Sequence, residues 1–199
     1  IKEKGKDFMG IDLDSMKSKV TNKTKVIFIA NPGNPTGTIV PINEIESFIR
    51  KISKKIIVVI DEAYYEYSSH QGFKSAVNLL AKYSNIVVTR SFSKIYALAG
   101  IRVGYGLASK DIISEFDKIR QPFNVNYIAQ KMAIASLGDE EYLRKSLDLN
   151  DMGMQFLKLE LNKLGIVYLN TYTNFITIHL GSKTQEIYEI LLSEGVILR

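Results

Sequence analysis

Four short apolar runs, each closed by turn-forming or polar residues, punctuate the first half of the chain: residues 26–30 (VIFIA), 56–60 (IIVVI), 86–89 (IVVT) and 103–108 (VGYGLA). Their hydrophobicity is continuous rather than alternating, which predicts strands covered on both faces by helices. Between the first two runs, Ile45, Phe48, Ile49 and Ile52 recur at helical spacing, and Asn43 with Glu46 predicts a capping box where that helix begins. Strand alternating with helix predicts an α/β sheet. Beyond residue 108 the rhythm changes. Residues 108–120 and 127–137 read as helices separated by Gln121-Pro122-Phe123-Asn124. Leu143, Leu147, Met154, Leu157, Leu161 and Leu164 then mark a long amphipathic helix that Gly165 ends. A strand near 166–169, a second at 174–180, a helix at 184–193 and a terminal strand at 196–199 complete the pattern. The expected division is therefore 1–140, a large domain, and 141–199, a connecting helix with the start of a smaller α+β domain.

Composition narrows the classes. Hydrophobic residues at 46% and charged residues at 24% of 199 are ordinary for a globular protein. The net charge of +5 invites a nucleic-acid reading, but the lysines are dispersed and not interleaved with stacking aromatics, so no nucleic-acid partner is expected. There is no cysteine, and His70 and His179 are the only histidines, which leaves little material for a metal site or a Ser-His triad. No apolar run approaches the ~20 residues of a membrane helix, and no signal-peptide pattern is present, so the cytoplasm is the expected location. The sequence opens at Ile1 without an initiator methionine and stops at Arg199 inside an apparent strand; a fragment of a longer polypeptide is expected.

In open α/β sheets ligands lie beyond the carboxyl ends of the strands. After the first run comes Asn31-Pro32-Gly33-Asn34-Pro35-Thr36-Gly37; after the second, Asp61-Glu62-Ala63-Tyr64; after the third, Arg90-Ser91-Phe92-Ser93-Lys94, continuing through Leu98-Ala99-Gly100-Ile101-Arg102-Val103-Gly104. Each has a plain structural reading. Asn-Pro-x-Asn-Pro-x-Gly is a strong turn sequence, an Asp after a strand often caps a helix, Tyr64 sits among Tyr65 and Tyr67, and a single lysine is usually solvated. Ser91 and Ser93, two apart, face the same way in extended chain. Gly100 and Gly104 are expected to allow close backbone approach and a sharp turn. Residues 100–106 do not follow the dinucleotide pattern opening a helix.

In their order and spacing these segments resemble the fold-type I pyridoxal-phosphate (PLP) aminotransferases, and within them the histidinol-phosphate aminotransferase branch. The resemblance runs from about Val26 to Arg199 and implies a three-layer, mostly parallel sheet followed by a smaller α+β domain. It implies PLP as cofactor, with Lys94 bonded to the aldehyde and moving the proton between two carbons. Asp61 would pair with the pyridinium nitrogen, and Asn34 and Tyr64 would hydrogen-bond the phenolic oxygen. Ser91, Ser93 and Arg102 would hold the phosphate, the guanidinium fork matching its oxygens. Ala63 matches the position that packs on the ring, or is simply core.

Gln121-Pro122-Phe123-Asn124-Val125-Asn126 with Ala129-Gln130, and Tyr172-Thr173-Asn174-Phe175, are similar to the same branch, and Arg199 matches an arginine near the substrate's distal end. The implied reaction is amino transfer between histidinol phosphate with 2-oxoglutarate and imidazole-acetol phosphate with glutamate, by a homodimer acting on a small-molecule amino donor and a 2-oxo acid. The family's N-terminal arm, a glycine-containing phosphate loop and the carboxylate-gripping arginine have no counterpart within these residues, so poor turnover by this stretch alone is expected. Two rivals share the cofactor residues: a decarboxylase of phosphorylated amino acids, and an aminotransferase-like sensor domain of a transcription regulator.

Overall fold

The computed structural model describes residues 10–198. In chain order the elements are α1 (Leu13–Ser18), β1 (Val26–Ala30), α2 (Ile42–Arg50), β2 (Ile57–Asp61), α3 (Tyr65–His70), β3 (Ile86–Ser91), β4 (Gly104–Ala108), α4 (Lys110–Ile119), α5 (Tyr127–Leu137), α6 (Glu140–Lys163), β5 (Val167–Tyr168), β6 (Ile178–His179) and α7 (Thr184–Ser193). The first four strands form one sheet in the order β1-β2-β3-β4, parallel except for β4, which returns antiparallel to β3. The α/β sheet expected from the apolar runs is what forms, mostly parallel as the resemblance implied.

Register explains the core. Ile27, Val58 and Ile86 are partners across three strands, as are Ile29, Ile60 and Val88, so two rows of β-branched side chains line one face. All six are buried, against Ile45, Phe48 and Ile49 of α2 and Leu13 of α1. Each buried side chain of this size contributes roughly 1.5–3 kcal/mol of transfer free energy. A second cluster joins Ala129 and Ala133 of α5 to Phe92 and Val103, covering the chain around the β3–β4 connection.

Several expectations are corrected. Coverage on both faces does not extend to β1, where Val26 is 44% and Phe28 72% exposed. A concavity of about 840 Å³ opens there instead, lined by Ile11, Met16, Val26, Phe28 and Asn34 among others. The capping box is also absent. Helix α2 starts one residue before Asn43, with Pro41 at the cap position and no side-chain cap, and Glu46 instead accepts from Lys82 Nζ (3.2 Å) and the Tyr83 hydroxyl (3.1 Å). The 174–180 strand shrinks to Ile178–His179, and just before it the Thr177 hydroxyl donates to the Pro35 carbonyl of the turn after β1. Residues 196–198 form no regular element, and residue 199 lies outside the described residues. Helix α6 ends as expected, with Leu164 as cap and Gly165 at φ +66°.

Candidate active site

The loop leaving β1 is held by Asn31, whose amide donates to the Val40 carbonyl (3.0 Å) while its oxygen accepts the Val40 N–H (2.7 Å). Both prolines of the turn follow cis peptide bonds. This frame presents Asn34 at the surface, and its Nδ2 donates to the Tyr64 hydroxyl at 3.2 Å. Gly37 closes the turn at φ +72°, with its carbonyl accepting from Tyr172 N–H (2.8 Å). A Cβ there would stand 2.9 Å from Thr171 Cβ. Gly37→Ala is therefore expected to destabilise the protein by at least ~1–2 kcal/mol from the left-handed backbone alone, measured as a lowered denaturant midpoint.

Strand β2 delivers Asp61 as its last residue, exposed, with Oδ1 accepting the Ala63 N–H at 3.0 Å. Its structural and chemical readings are thus compatible, since that bond occupies only one carboxylate oxygen. Tyr64 is only 5% exposed, yet its ring touches three parts of the chain. Asn34 reaches its hydroxyl, Phe175 meets it edge-on at 5.4 Å, and Lys94 Nζ lies 5.2 Å from its centroid. Ala63 borders the same cluster.

Past β3 the chain bends. Ser91 Oγ accepts the Ser93 N–H (3.0 Å), so the extended alternation expected of the two serines stops at Ser91, the last residue of the strand. Lys94 follows in a turn, exposed, its carbonyl accepting from Ala97 N–H (2.9 Å). Because β4 is antiparallel and pairs Gly104 with Ser91, Arg102 arrives at this same end of the sheet. Arg102 is left-handed (φ +60°) and donates to the Ala99 carbonyl at 2.7 Å. Gly104 permits the close approach expected of it: a Cβ would sit 2.7 Å from the Arg90 carbonyl oxygen. Gly100 does not, having nothing within 4 Å of its Cβ position. The tips of β1, β2 and β3 and the start of β4 therefore carry Asn34, Asp61, Tyr64, Ser91, Ser93, Lys94 and Arg102 on one end of the sheet. Arg199 lies outside the described residues.

Sequence reasoning passed over the layer behind these groups. Glu62, 3% exposed, accepts from Arg90 Nε (3.0 Å) and Nη2 (2.8 Å), from Ser75 Oγ (2.7 Å) and from Ala76 N–H (2.6 Å). Burial alone would lower the Arg90 pKa, but the Glu62 carboxylate beside it outweighs this and holds the guanidinium above its ordinary value. The available signal was positional: each residue of the pair immediately adjoins a site residue at the tip of a neighbouring strand.

Glu66 is also buried, and loss of hydration raises its carboxyl pKa above the usual range, with its own backbone N–H and the Arg90 charge opposing. Burial likewise pushes the Tyr67 and Tyr96 hydroxyls up to about 12. A carboxyl whose folded pKa is raised binds more protons folded than unfolded, so its contribution to stability falls as pH rises from the unfolded pKa through the folded one. Glu66→Gln removes that loss. The variant's thermal midpoint, relative to the parent, is expected to be higher at pH 8 than at pH 4 in a melting series.

With one sheet end bearing an amine, a carboxylate, a phenol–amide pair and a hydroxyl–guanidinium group, the class becomes definable. The family of class I and II aminotransferases matches residues 3–199, and the chain belongs to it. The particular relatives are consistent among themselves. The chain is 46% identical over 190 residues to histidinol-phosphate aminotransferase 1 of Idiomarina loihiensis, covering 96% of this chain and 52% of that protein. It is 41% identical over 188 residues to the histidinol-phosphate aminotransferase of Brevibacillus brevis, covering 94% and 52%. Among solved structures, histidinol-phosphate aminotransferase from Sinorhizobium meliloti in complex with pyridoxal-5'-phosphate matches with a TM-score of 0.87 at 30% identity, covering 94% of this chain and 52% of that one. The chain spans about half the length of the curated relatives it matches.

Proposed function

We propose that this chain forms the cofactor-holding part of a PLP-dependent aminotransferase that exchanges an amino group between histidinol phosphate with 2-oxoglutarate and imidazole-acetol phosphate with glutamate. The observation that carries this reading is the convergence on Tyr64, where the Asn34 amide and the Lys94 ammonium meet one ring at strand tips that also bear Asp61, Ser91 and Arg102. The donor set fits the group. An amine suits an aldehyde, a carboxylate a protonated ring nitrogen, a phenol–amide pair a ring oxygen, and hydroxyls with a guanidinium a phosphate. When bound, the cofactor supplies an electron sink for the charge left as the substrate's Cα–H bond breaks.

The remaining work falls to side chains. Lys94 Nζ would take the proton from the substrate's Cα and return it to the cofactor's aldehyde carbon, across the nitrogen being transferred. Asp61 keeps a proton on the ring nitrogen by the attraction of an opposite charge. Asn34 and Tyr64 hold the ring oxygen in place. Ser91 Oγ already accepts from Ser93 N–H, which leaves its own O–H free to donate to a phosphate oxygen. Ser93 and Arg102 complete that grip, and Arg199 is assigned to the distal phosphate of the substrate by resemblance alone.

The donor assignment rests on identities of 41–46% to relatives bearing that name. Incubating the whole protein with PLP, 2-oxoglutarate and each of histidinol phosphate, threonine phosphate and aspartate tests it. Glutamate is expected to form fastest from the first; CO2 release from threonine phosphate would support a decarboxylase instead. We further infer two domains meeting near residue 140, and a cytoplasmic homodimer. The apolar, exposed Ile119, Phe123, Tyr127 and Ile128 around the α4–α5 connection are the support for self-association. No helix among the described residues is long and apolar enough to cross a membrane.

A further inference from the structure

The backbone ladder between β2 and β3 stops at the residues that matter most. Its last paired residues are Asp61 and Thr89, and its last bond runs from Glu62 N–H to the Thr89 carbonyl (2.8 Å). From there the two chains diverge, one into α3 and the other into the Lys94 turn, with no main-chain bond between the two stretches beyond Glu62 and Thr89. The first side chains beyond the ladder are Glu62 and Arg90, and they meet: side-chain exposure is 4% for the carboxylate and 13% for the guanidinium, with two N–H donors on one oxygen.

We propose that the Glu62–Arg90 pair, with Ser75, is a positioning brace that sets the relative placement of the cofactor-binding strand tips; this rests on the PLP reading above. Successive residues leave a strand on opposite sides, so Glu62 sits behind Asp61, and Arg90 behind Ser91. Both oxygens of Glu62 are committed, one to Arg90 and Ser75, the other to Ala76 N–H. Arg90 also lies 3.7 Å from the Tyr65 ring centroid, which ties the brace to the neighbour of Tyr64. A Cβ at Gly104, two residues after Arg102, would meet the Arg90 carbonyl oxygen at 2.7 Å, so the start of β4 approaches the same residue. A buried ion pair is a weak source of stability, because desolvation offsets its attraction, and geometric specification is its better-attested use. Two guanidinium N–H groups converging on one carboxylate oxygen fix orientation in a way that apolar filling of equal volume does not.

The test uses the whole protein with Arg90→Lys, which keeps the charge and loses the fork, and with Glu62→Gln/Arg90→Met, which removes both charges and keeps an amide oxygen for the Ala76 N–H. For each, the circular-dichroism melt, the PLP dissociation constant by equilibrium dialysis, and the pH midpoint of the visible band of bound PLP are measured. The brace predicts native-like melting with PLP affinity weakened roughly ten- to a hundredfold and the band's midpoint displaced. Should the double variant not fold, Arg90→Lys alone carries the comparison. Unchanged affinity and midpoint, with only the melt altered, overturn the brace while leaving the PLP reading intact. A parent protein that binds no PLP overturns that reading, and the brace with it.

Discussion

Lys94→Ala is expected to lower turnover by at least ~10²–10⁴-fold, the range associated with removing a proton-transfer group, and to abolish covalent retention of PLP after borohydride reduction. The residue is exposed in its turn, so folding should change by no more than about 0.5 kcal/mol. The substitution therefore separates chemistry from structure. Two measurements check it: single-turnover kinetics with the amino donor, and peptide mass mapping of the reduced parent and variant. The parent should carry the cofactor mass on the peptide containing Lys94. A label spread over other lysines, with turnover surviving in the variant, would remove the central assignment.

Asp61→Asn is the second large effect, and the geometry makes it a clean one. Asp61 Oδ1 accepts the Ala63 N–H at 3.0 Å, and asparagine retains an oxygen for that bond, so the start of the α3 segment is preserved. What disappears is the charge. An opposite charge shifts a neighbouring pKa by about 1–3 units, so turnover is expected to fall about ten- to a thousandfold while Lys94 still retains PLP on reduction. If the variant turns over at the parental rate, the carboxylate does not face the ring nitrogen.

The strands and the residues at their tips were legible because strand interiors and turns obey local rules. VIFIA needed only its composition and the Asn-Pro pair after it to be placed, and it forms the strand expected, Val26–Ala30. The coverage of that strand was not legible, because Phe28 looks identical whether or not something packs on it. The false capping box at Asn43 shows another limit: Glu46 was spaced for a cap but found Lys82 and Tyr83, which come from elsewhere in the sequence. Ser91 and Ser93 exposed a third, since period-two reasoning holds only while the chain stays extended. The layer behind the site was missed for the same reason as Glu46. Glu62 and Ser75 are 13 residues apart and Glu62 and Arg90 are 28 apart, and no local pattern joins them.

Tyr64 is held by Asn34 at its hydroxyl and by Phe175 at its ring edge, while Tyr172 and Thr177 hydrogen-bond the carbonyls of Gly37 and Pro35 in the Asn34 loop. The stretch following α6 is thus mechanically in series with the phenol. Under the proposed role of Tyr64, substitutions at Tyr172, Phe175 or Thr177 are expected to shift the visible band of bound PLP without removing a cofactor ligand.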